Sequence, residues 1–249
     1  PGGAVTAAEW NGVISEVTVA PGEAARSRVS GAVNAVSRWV SADRPVAAWV
    51  PVSSALSPTL LTISWLIGGA VQPESYSPVQ QTVSVLAGHG ATDRWIVTGS
   101  LYVIGVCHFA TAAGLRLIPL RARVGLVVAG MAAIGIAACP EPVSGTTTQH
   151  AVCTGIGAVA ITVWPALAAQ RHGPASILVS ARVSAVVSVT FLMLLMWTTV
   201  QTQGGGSLGL AERVSSAIQI CWPFVVAVGL RRTTRTARGN QGEGRARWG

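Results

Sequence analysis

The chain has 249 residues, of which half are hydrophobic and only a tenth are charged. A soluble domain carries about a quarter charged residues, so this composition excludes an ordinary soluble domain and favours an integral membrane protein. The net charge of +8 would suit nucleic-acid binding, but no folded module or interleaved aromatic residues accompany the basic residues, which argues against that class.

Residues 1–45 contain no apolar run long enough to cross a bilayer. We predict that they form a cytoplasmic tail, and two alternatives stay open for its structure. Its small and polar composition is typical of a disordered segment. The spacing of Val29, Val33, Val36 and Val40, with arginines nearby, instead favours a short helix on the membrane surface.

Six apolar segments follow, each close to the length that crosses a bilayer. They lie at about residues 47–71, 95–115, 124–139, 151–168, 177–200 and 214–230, and the third is expected to extend back towards residue 120. Residues 46–230 are therefore predicted to form one all-α membrane domain, a bundle of six transmembrane helices. The glycines and alanines of spans three and four predict that these two spans pack closely together. Residues 231–249 read as a basic cytoplasmic tail.

The arginines predict the orientation of the bundle. With a cytoplasmic N-terminus, fifteen of the seventeen basic residues lie on the cytoplasmic side, and only Arg94 and Arg213 lie outside. We therefore predict a multi-pass protein of the plasma membrane with both termini in the cytoplasm. Three loops then face outwards, at residues 72–94, 140–150 and 201–213.

The first outer loop contains a helix-start pattern. Ser77 stands at a capping position, Pro78 at the first helical position and Gln80 two residues later, which predicts a short amphipathic helix between spans one and two. It is expected to end near Ala87. Further on, Thr92 or Asp93 is expected to cap span two, followed by an interfacial anchor at Arg94 and Trp95.

The loop reads QPESYSPVQQTVSVLAGHGATDRW from Gln72 to Trp95, and it follows Gly68-Gly69 at the end of span one. A histidine follows within span two, and Pro140-Glu141-Pro142 precedes a His-Ala pair at His150. On these motifs the chain resembles DUF998, a bacterial family of integral membrane proteins in which Tyr-Ser-Pro, Gln-Thr-(Ile/Val)-Ser and Gly-Ala-Thr-Asp-Arg-Trp are typical, especially in actinobacteria. The resemblance covers about residues 61–230. It implies a six-span bundle and no established reaction.

Catalytic candidates lie on the predicted outer face. A hydrolase-like enzyme acting at the outer leaflet could use Asp93, Glu141, His89 and His150, but no nucleophile elbow accompanies them. Asp93 also has a structural explanation as a helix cap. Their spacing is not diagnostic of a metal site, so neither a metal nor another cofactor is predicted.

Ligand-binding candidates lie in the first outer loop, at its border with span two, and within span two. Those in and beside the outer loop are Tyr76, Gln81, Ser84 and Arg94. The fifth is His108, an ionisable residue inside span two, where such residues commonly face the bundle interior. A neutral histidine bonded to a neighbouring helix is the alternative, and haem ligation is disfavoured because no second histidine lies at matching depth.

Two of the four cysteines, Cys139 and Cys153, flank the second outer loop and could close it with a disulfide. The preferred function is non-enzymatic: an envelope accessory, a lipid-binding protein or a small transporter. The alternative is the membrane-embedded enzyme. Membrane lipids are the expected partners, with a second copy of the chain or an envelope protein as further candidates.

Overall fold

The computed structural model describes residues 46–171 and 176–246. In that part of the chain the regular structure is helical, and six helices are long and apolar enough to cross a membrane. The predicted all-α, six-span bundle is thereby confirmed, and the chain is a multi-pass membrane protein. The predicted surface helix or disordered tail at residues 1–45 lies outside the described residues.

Seven α-helices make up this part of the chain, together with a 3-10 turn at Ile177–Val179. The α-helices are α1 (Trp49–Ala70), α2 (Val83–Ala87), α3 (Trp95–Gly114), α4 (Leu120–Ala138), α5 (Thr148–Ala168), α6 (Ala181–Gln201) and α7 (Leu208–Ala246). All except α2 contain a candidate span, which in α7 covers Leu208–Thr236. The fold therefore consists of six long helices and one short one.

The six long helices form a closed ring. Each packs against the next along the chain, α7 packs against α1, and α2 lies against α1, α3 and α7 at one end. We call this end, with the loops at residues 71–94, 139–147 and 202–207, the long-loop end. The opposite end is the arginine-rich end.

The arginine-rich end of the ring is filled by a hydrophobic cluster that includes Val50, Leu115, Leu126, Trp164 and Leu230. These five side chains are completely buried. A second cluster lies at the long-loop end and includes residues of α2. The ring is thus filled at one end by its own side chains, and at the other end α2 contributes to the packing.

Close packing of spans three and four, now α4 and α5, is confirmed. A β-carbon on Gly157 of α5 would lie 3.2 Å from the β-carbon of Ala132 on α4. The indole Nε1 of Trp164 donates a hydrogen bond of 2.9 Å to the carbonyl oxygen of Ala122. Small residues thus let the two helices approach closely enough for a direct link.

The short helix between spans one and two exists, but it begins later than predicted. It starts at Val83, and Thr82 rather than Ser77 caps it by accepting a hydrogen bond from the Val85 backbone. At Ser77 the chain forms a tight turn instead, and the Gln81 side chain accepts a hydrogen bond of 3.0 Å from the Ser77 backbone. The predicted helix start is therefore a separate turn.

The predicted cap of span two is wrong. Arg94 occupies the N-cap position of α3 and makes no side-chain cap hydrogen bond. Asp93 has a positive φ of 49°, a backbone conformation that turns the chain sharply before the helix. The Asp93 side chain is exposed.

Span six also begins earlier than predicted, at Leu208 rather than Val214. Glu212 and Arg213, expected in an outer loop, therefore lie within α7. A charged pair normally indicates a loop in such a sequence, but both side chains find polar partners at the long-loop end.

Candidate functional site

A cavity of about 220 Å³ lies inside the ring, in the half nearer the long-loop end. All six long helices and α2 contribute to its lining, which is mostly apolar. Leu61, Leu101, Ile104, Ala133 and Ile161 are examples. An engineered apolar cavity of about 150 Å³ is large enough to bind benzene, so this space can hold a small organic group.

A polar stripe on α7 faces into this cavity. Glu212, Ser215, Ser216 and Gln219 all line it. Their spacing of three, four and seven residues places them on one side of an α-helix. The sequence of α7 therefore directs four polar side chains towards an otherwise apolar space.

Much of this stripe links α7 to its neighbours. The Gln219 side-chain nitrogen donates to the hydroxyl of Thr162 on α5 at 3.2 Å and to the carbonyl oxygen of Phe191 on α6 at 3.1 Å. The hydroxyl groups of Ser215 and Thr198 lie 2.9 Å apart. These hydrogen bonds join α5, α6 and α7 around the deeper part of the cavity.

Glu212 is arranged differently from the rest of the stripe. Its Oε2 accepts a hydrogen bond of 2.7 Å from the backbone N–H of Val83, the first residue of α2. Its Oε1 accepts no hydrogen bond from the described residues. Among the side chains described, those of residues 46–171 and 176–236, no arginine lies within 4.0 Å of the carboxylate. Glu212 thus holds α2 in place with one oxygen and has the other free for a ligand.

Residues 76–87, which we call the cover segment, close the long-loop end of the ring. Arg213 binds this segment through its guanidinium group. Its Nη1 donates to the carbonyl oxygens of Pro78 and Gln81, each at 2.7 Å. Its Nη2 donates to the Tyr76 hydroxyl. One arginine therefore fastens the cover segment to α7.

Partial burial raises the pKa of the Tyr76 phenol, and the nearby Arg213 charge opposes that shift. The Tyr76 ring lies against Gly69 near the end of α1, where a β-carbon would be 3.3 Å from the ring. Tyr76 thus keeps its proton and bridges α1 and α7.

The predicted ligand-binding residues fall into three groups. Ser84 and His108 line the cavity, and the imidazole of His108 is almost fully buried. Tyr76 and Gln81 belong to the contact between the cover segment and α7. Arg94 lies elsewhere, with its guanidinium carbon 4.0 Å from the centre of the Trp95 ring.

The predicted catalytic residues do not line the cavity. His150 and Glu141 are brought together, with 3.6 Å between Nε2 and Oε1, and His150 Nδ1 lies 2.8 Å from the Cys139 carbonyl oxygen. The backbone N–H of His89 donates a hydrogen bond to the carbonyl oxygen of Glu141. The side chains of His89 and Asp93 are exposed.

The four cysteines, all in the described part of the chain, are free thiols. The disulfide considered between Cys139 and Cys153 is not formed. The Cys153 sulfur packs against Gly135, 2.6 Å from where a β-carbon would stand, and so lies one turn deeper than Cys139. No group of three metal-ligating side chains occurs among the described residues.

Sequence reasoning missed Glu212, Gln219 and Arg213 as site residues. The helical spacing from Glu212 to Gln219 is visible in the sequence, but only if span six is extended back to include Glu212. No comparable signal identifies Arg213, because most of its partners lie in a loop that is distant in the sequence.

Comparison with known proteins identifies a family. The model of the family described as "Protein of unknown function (DUF998)" matches residues 55–229. Neither a curated protein nor a solved structure matches the chain.

Proposed function

This chain belongs to the DUF998 family, whose function is unknown, and we propose that it binds a small amphipathic molecule of the membrane in the cavity inside its helix ring. Such a role falls within lipid binding or small-molecule transport and requires no chemical reaction.

The observation that carries this proposal is the composition of the cavity wall. An apolar chamber with a few convergent polar groups is the usual form of a small-molecule site. Here the apolar side chains can hold a hydrocarbon body, and Glu212, Ser84 and His108 offer polar atoms to a head group. All six long helices contribute to the lining of the site, so a ligand from the bilayer would leave lipid for a protein-lined space.

A hydrolase-like activity has less support. His150 and Glu141 form a pair, but the cavity wall contains neither of them nor His89 or Asp93. Asp93 and His89 are exposed at separate points of the 71–94 loop. An enzyme would need these groups and a nucleophile around one bound substrate.

We propose that the long-loop end faces outwards across the plasma membrane and that both termini are cytoplasmic. The arginine distribution supports this orientation. Of the described arginines, Arg94 and Arg213 belong to the long-loop end, and Arg213 is engaged with the cover segment. The other arginines lie near or beyond the opposite ends of the spans, at residues 116, 121, 123, 171, 182, 231, 232, 235, 238 and 245.

Filling the cavity tests the binding proposal. Ala158 lines the cavity, so Ala158→Phe would occupy much of it. Ala151→Phe is the matched control, because Ala151 is exposed on the same helix. The purified proteins are extracted and their bound molecules quantified by mass spectrometry. We expect the unmodified protein and the Ala151→Phe variant to carry a defined small amphiphile. The amount of this molecule should be at least tenfold lower in Ala158→Phe. Equal amounts in all three would refute the proposal.

Thiol labelling tests the orientation. Val143 in the 139–147 loop is 81% exposed and Ile177 at the arginine-rich end is 74% exposed. A cysteine at either position can be probed in intact cells with a membrane-impermeant maleimide, against the unmodified chain as background. We expect labelling of Val143→Cys alone until the cells are opened. The reverse pattern would invert the proposed orientation.

A further inference from the structure

We propose that the cavity selects amphiphiles whose head is a primary ammonium group, and that Glu212 binds this group. The inference rests on the proposed function, because it specifies the chemical class of the ligand in the same cavity.

The charge of the cavity wall is the first argument. Among the lining residues only Glu212 and His108 are ionisable, and no arginine contributes to the wall. A phosphate or carboxylate head group would therefore meet no fixed positive charge, and it would meet the Glu212 carboxylate instead. A cationic head group is the complementary partner for this wall.

The free oxygen of Glu212 is the second argument. Its Oε2 is held by the Val83 N–H, whereas its Oε1 has no hydrogen-bond donor among the described residues. A carboxylate removed from bulk water is costly unless another group pairs with it. A primary ammonium group carries both the charge and the N–H donors that Oε1 lacks.

The charge of the adjacent Arg213 acts on Glu212 from a distance, but the hydrogen bonds of its guanidinium group go to other residues. The Arg213 guanidinium donates to the carbonyl oxygens of Pro78, Gln81 and Gly209 and to the Tyr76 hydroxyl. No salt bridge joins Arg213 to Glu212 among the described residues. The two adjacent residues therefore have different partners: Arg213 binds the cover segment, and Glu212 faces the cavity.

The depth of the site limits the length of the ligand. Along α7, Gln219 lies seven residues below Glu212, which is roughly 10 Å at 1.5 Å per residue. The Gln219 amide nitrogen is already bonded to Thr162 and Phe191. The space between is bordered by apolar residues of α1, α3 and α4, including Leu61, Ile104 and Ala133. A short alkyl chain below an ammonium head suits this arrangement.

Three six-carbon probes separate head-group preference from cavity binding. Hexylamine, hexanol and hexanoate share one chain and carry positive, neutral and negative heads at pH 8. Their binding to the purified full chain in nanodiscs is measured by equilibrium dialysis, with empty nanodiscs subtracted. We expect hexylammonium to bind at least tenfold more tightly than hexanol, and hexanoate to bind more weakly than hexanol.

Glu212→Gln tests the residue, because the amide oxygen keeps the bond to Val83 and removes the charge. We expect hexanol binding to persist and the ammonium preference to fall below threefold. Glu74→Gln is the matched control, since Glu74 is an exposed acid at the same end, and it should retain the preference. The probe comparison on the unmodified protein does not depend on the folding of either variant.

The outcomes distinguish the two proposals. If hexanol binds, Ala158→Phe abolishes that binding, and hexylammonium gains no preference, the Glu212 inference fails and the proposed function stands. An unchanged preference in Glu212→Gln also overturns the inference. If none of the three probes binds, both proposals fail.

Discussion

The guanidinium group of Arg213 donates a hydrogen bond to the hydroxyl of Tyr76, a residue 137 positions earlier in the chain. The same group donates to the carbonyl oxygens of Pro78 and Gln81. Arginine suits this task because its donors are rigidly arranged and permanently charged. Through these contacts the first turns of α7 hold the cover segment, which contributes Val83 and Ser84 to the cavity wall, whereas Arg213 itself does not line the cavity.

Arg213→Ala should loosen the cover segment. Hydrogen bonds from a charged donor contribute about 1.5–3 kcal/mol each, and this variant removes several while leaving carbonyl oxygens without a donor. We expect amide hydrogen exchange in residues 76–87 to accelerate about tenfold or more, measured by mass spectrometry in nanodiscs. Arg94→Ala is the control, because Arg94 stacks on Trp95 and does not touch the segment. Equal exchange in both variants would contradict the assigned role.

Gly209→Ala should destabilise the same contact from the side of α7. A β-carbon at Gly209 would collide with the Gln81 carbonyl oxygen and lie 2.6 Å from that of Pro78. Helix propensity alone favours alanine over glycine by about 1 kcal/mol. The clash and the helix propensity therefore change the stability in opposite directions. We expect a lower midpoint of thermal unfolding. Gly206→Ala, at a position with open space around it, should leave the midpoint nearly unchanged; a higher midpoint for Gly209→Ala would count against the contact.

Gly105→Ala should weaken the crossing of α3 and α4. A β-carbon at Gly105 would lie 2.7 Å from the Gly130 carbonyl oxygen and 2.6 Å from Cγ1 of Ile134. Overpacking of this kind costs about 1–3 kcal/mol, which exceeds the gain in helix propensity. We expect a clear fall in thermal stability. Gly99→Ala on the same helix has no neighbour within 4 Å and should be neutral or stabilising.

Cys139 and Cys153 should both react as free thiols in the isolated protein. The Cys153 sulfur packs against Gly135, one helical turn away from the level of Cys139, so a disulfide would require backbone movement. Alkylation under denaturing, non-reducing conditions followed by peptide mapping should find both cysteines modified. A disulfide-linked peptide joining the two would refute the described packing of α4 against α5.

Tyr76 should lose its proton at higher pH in the folded protein than in the unfolded chain, because burial raises its pKa. An unfolded tyrosine titrates near pH 10. The contribution of the neutral phenol to stability is therefore present below that pH and declines as pH rises past it. Tyr102→Phe leaves Tyr76 as the sole tyrosine, so its ultraviolet absorbance can be titrated in folded and denatured protein. Identical midpoints would contradict the buried environment.

Part of the candidate site can be predicted from the sequence, but its acidic residue cannot. His108 is a candidate because it is ionisable and lies inside span two, and Ser84 because no structural role in the outer loop explains it; both line the cavity. The sequence places Glu212 in a loop, because two adjacent charged residues normally indicate a loop between spans. In the structure the two neighbours point to different partners: Glu212 to the cavity and α2, Arg213 to the cover segment.

The sequence by itself determined the class of the protein and the number of its spans, because hydrophobicity and segment length are local properties that each span carries alone. It also determined that α4 and α5 pack closely, since small residues on both permit it. Only the tertiary structure decided that the helices close into a ring, that α2 covers one end, and that Glu212 faces the enclosed space. Those facts depend on how each helix is rotated against its neighbours, which is settled by contacts between residues far apart in the chain.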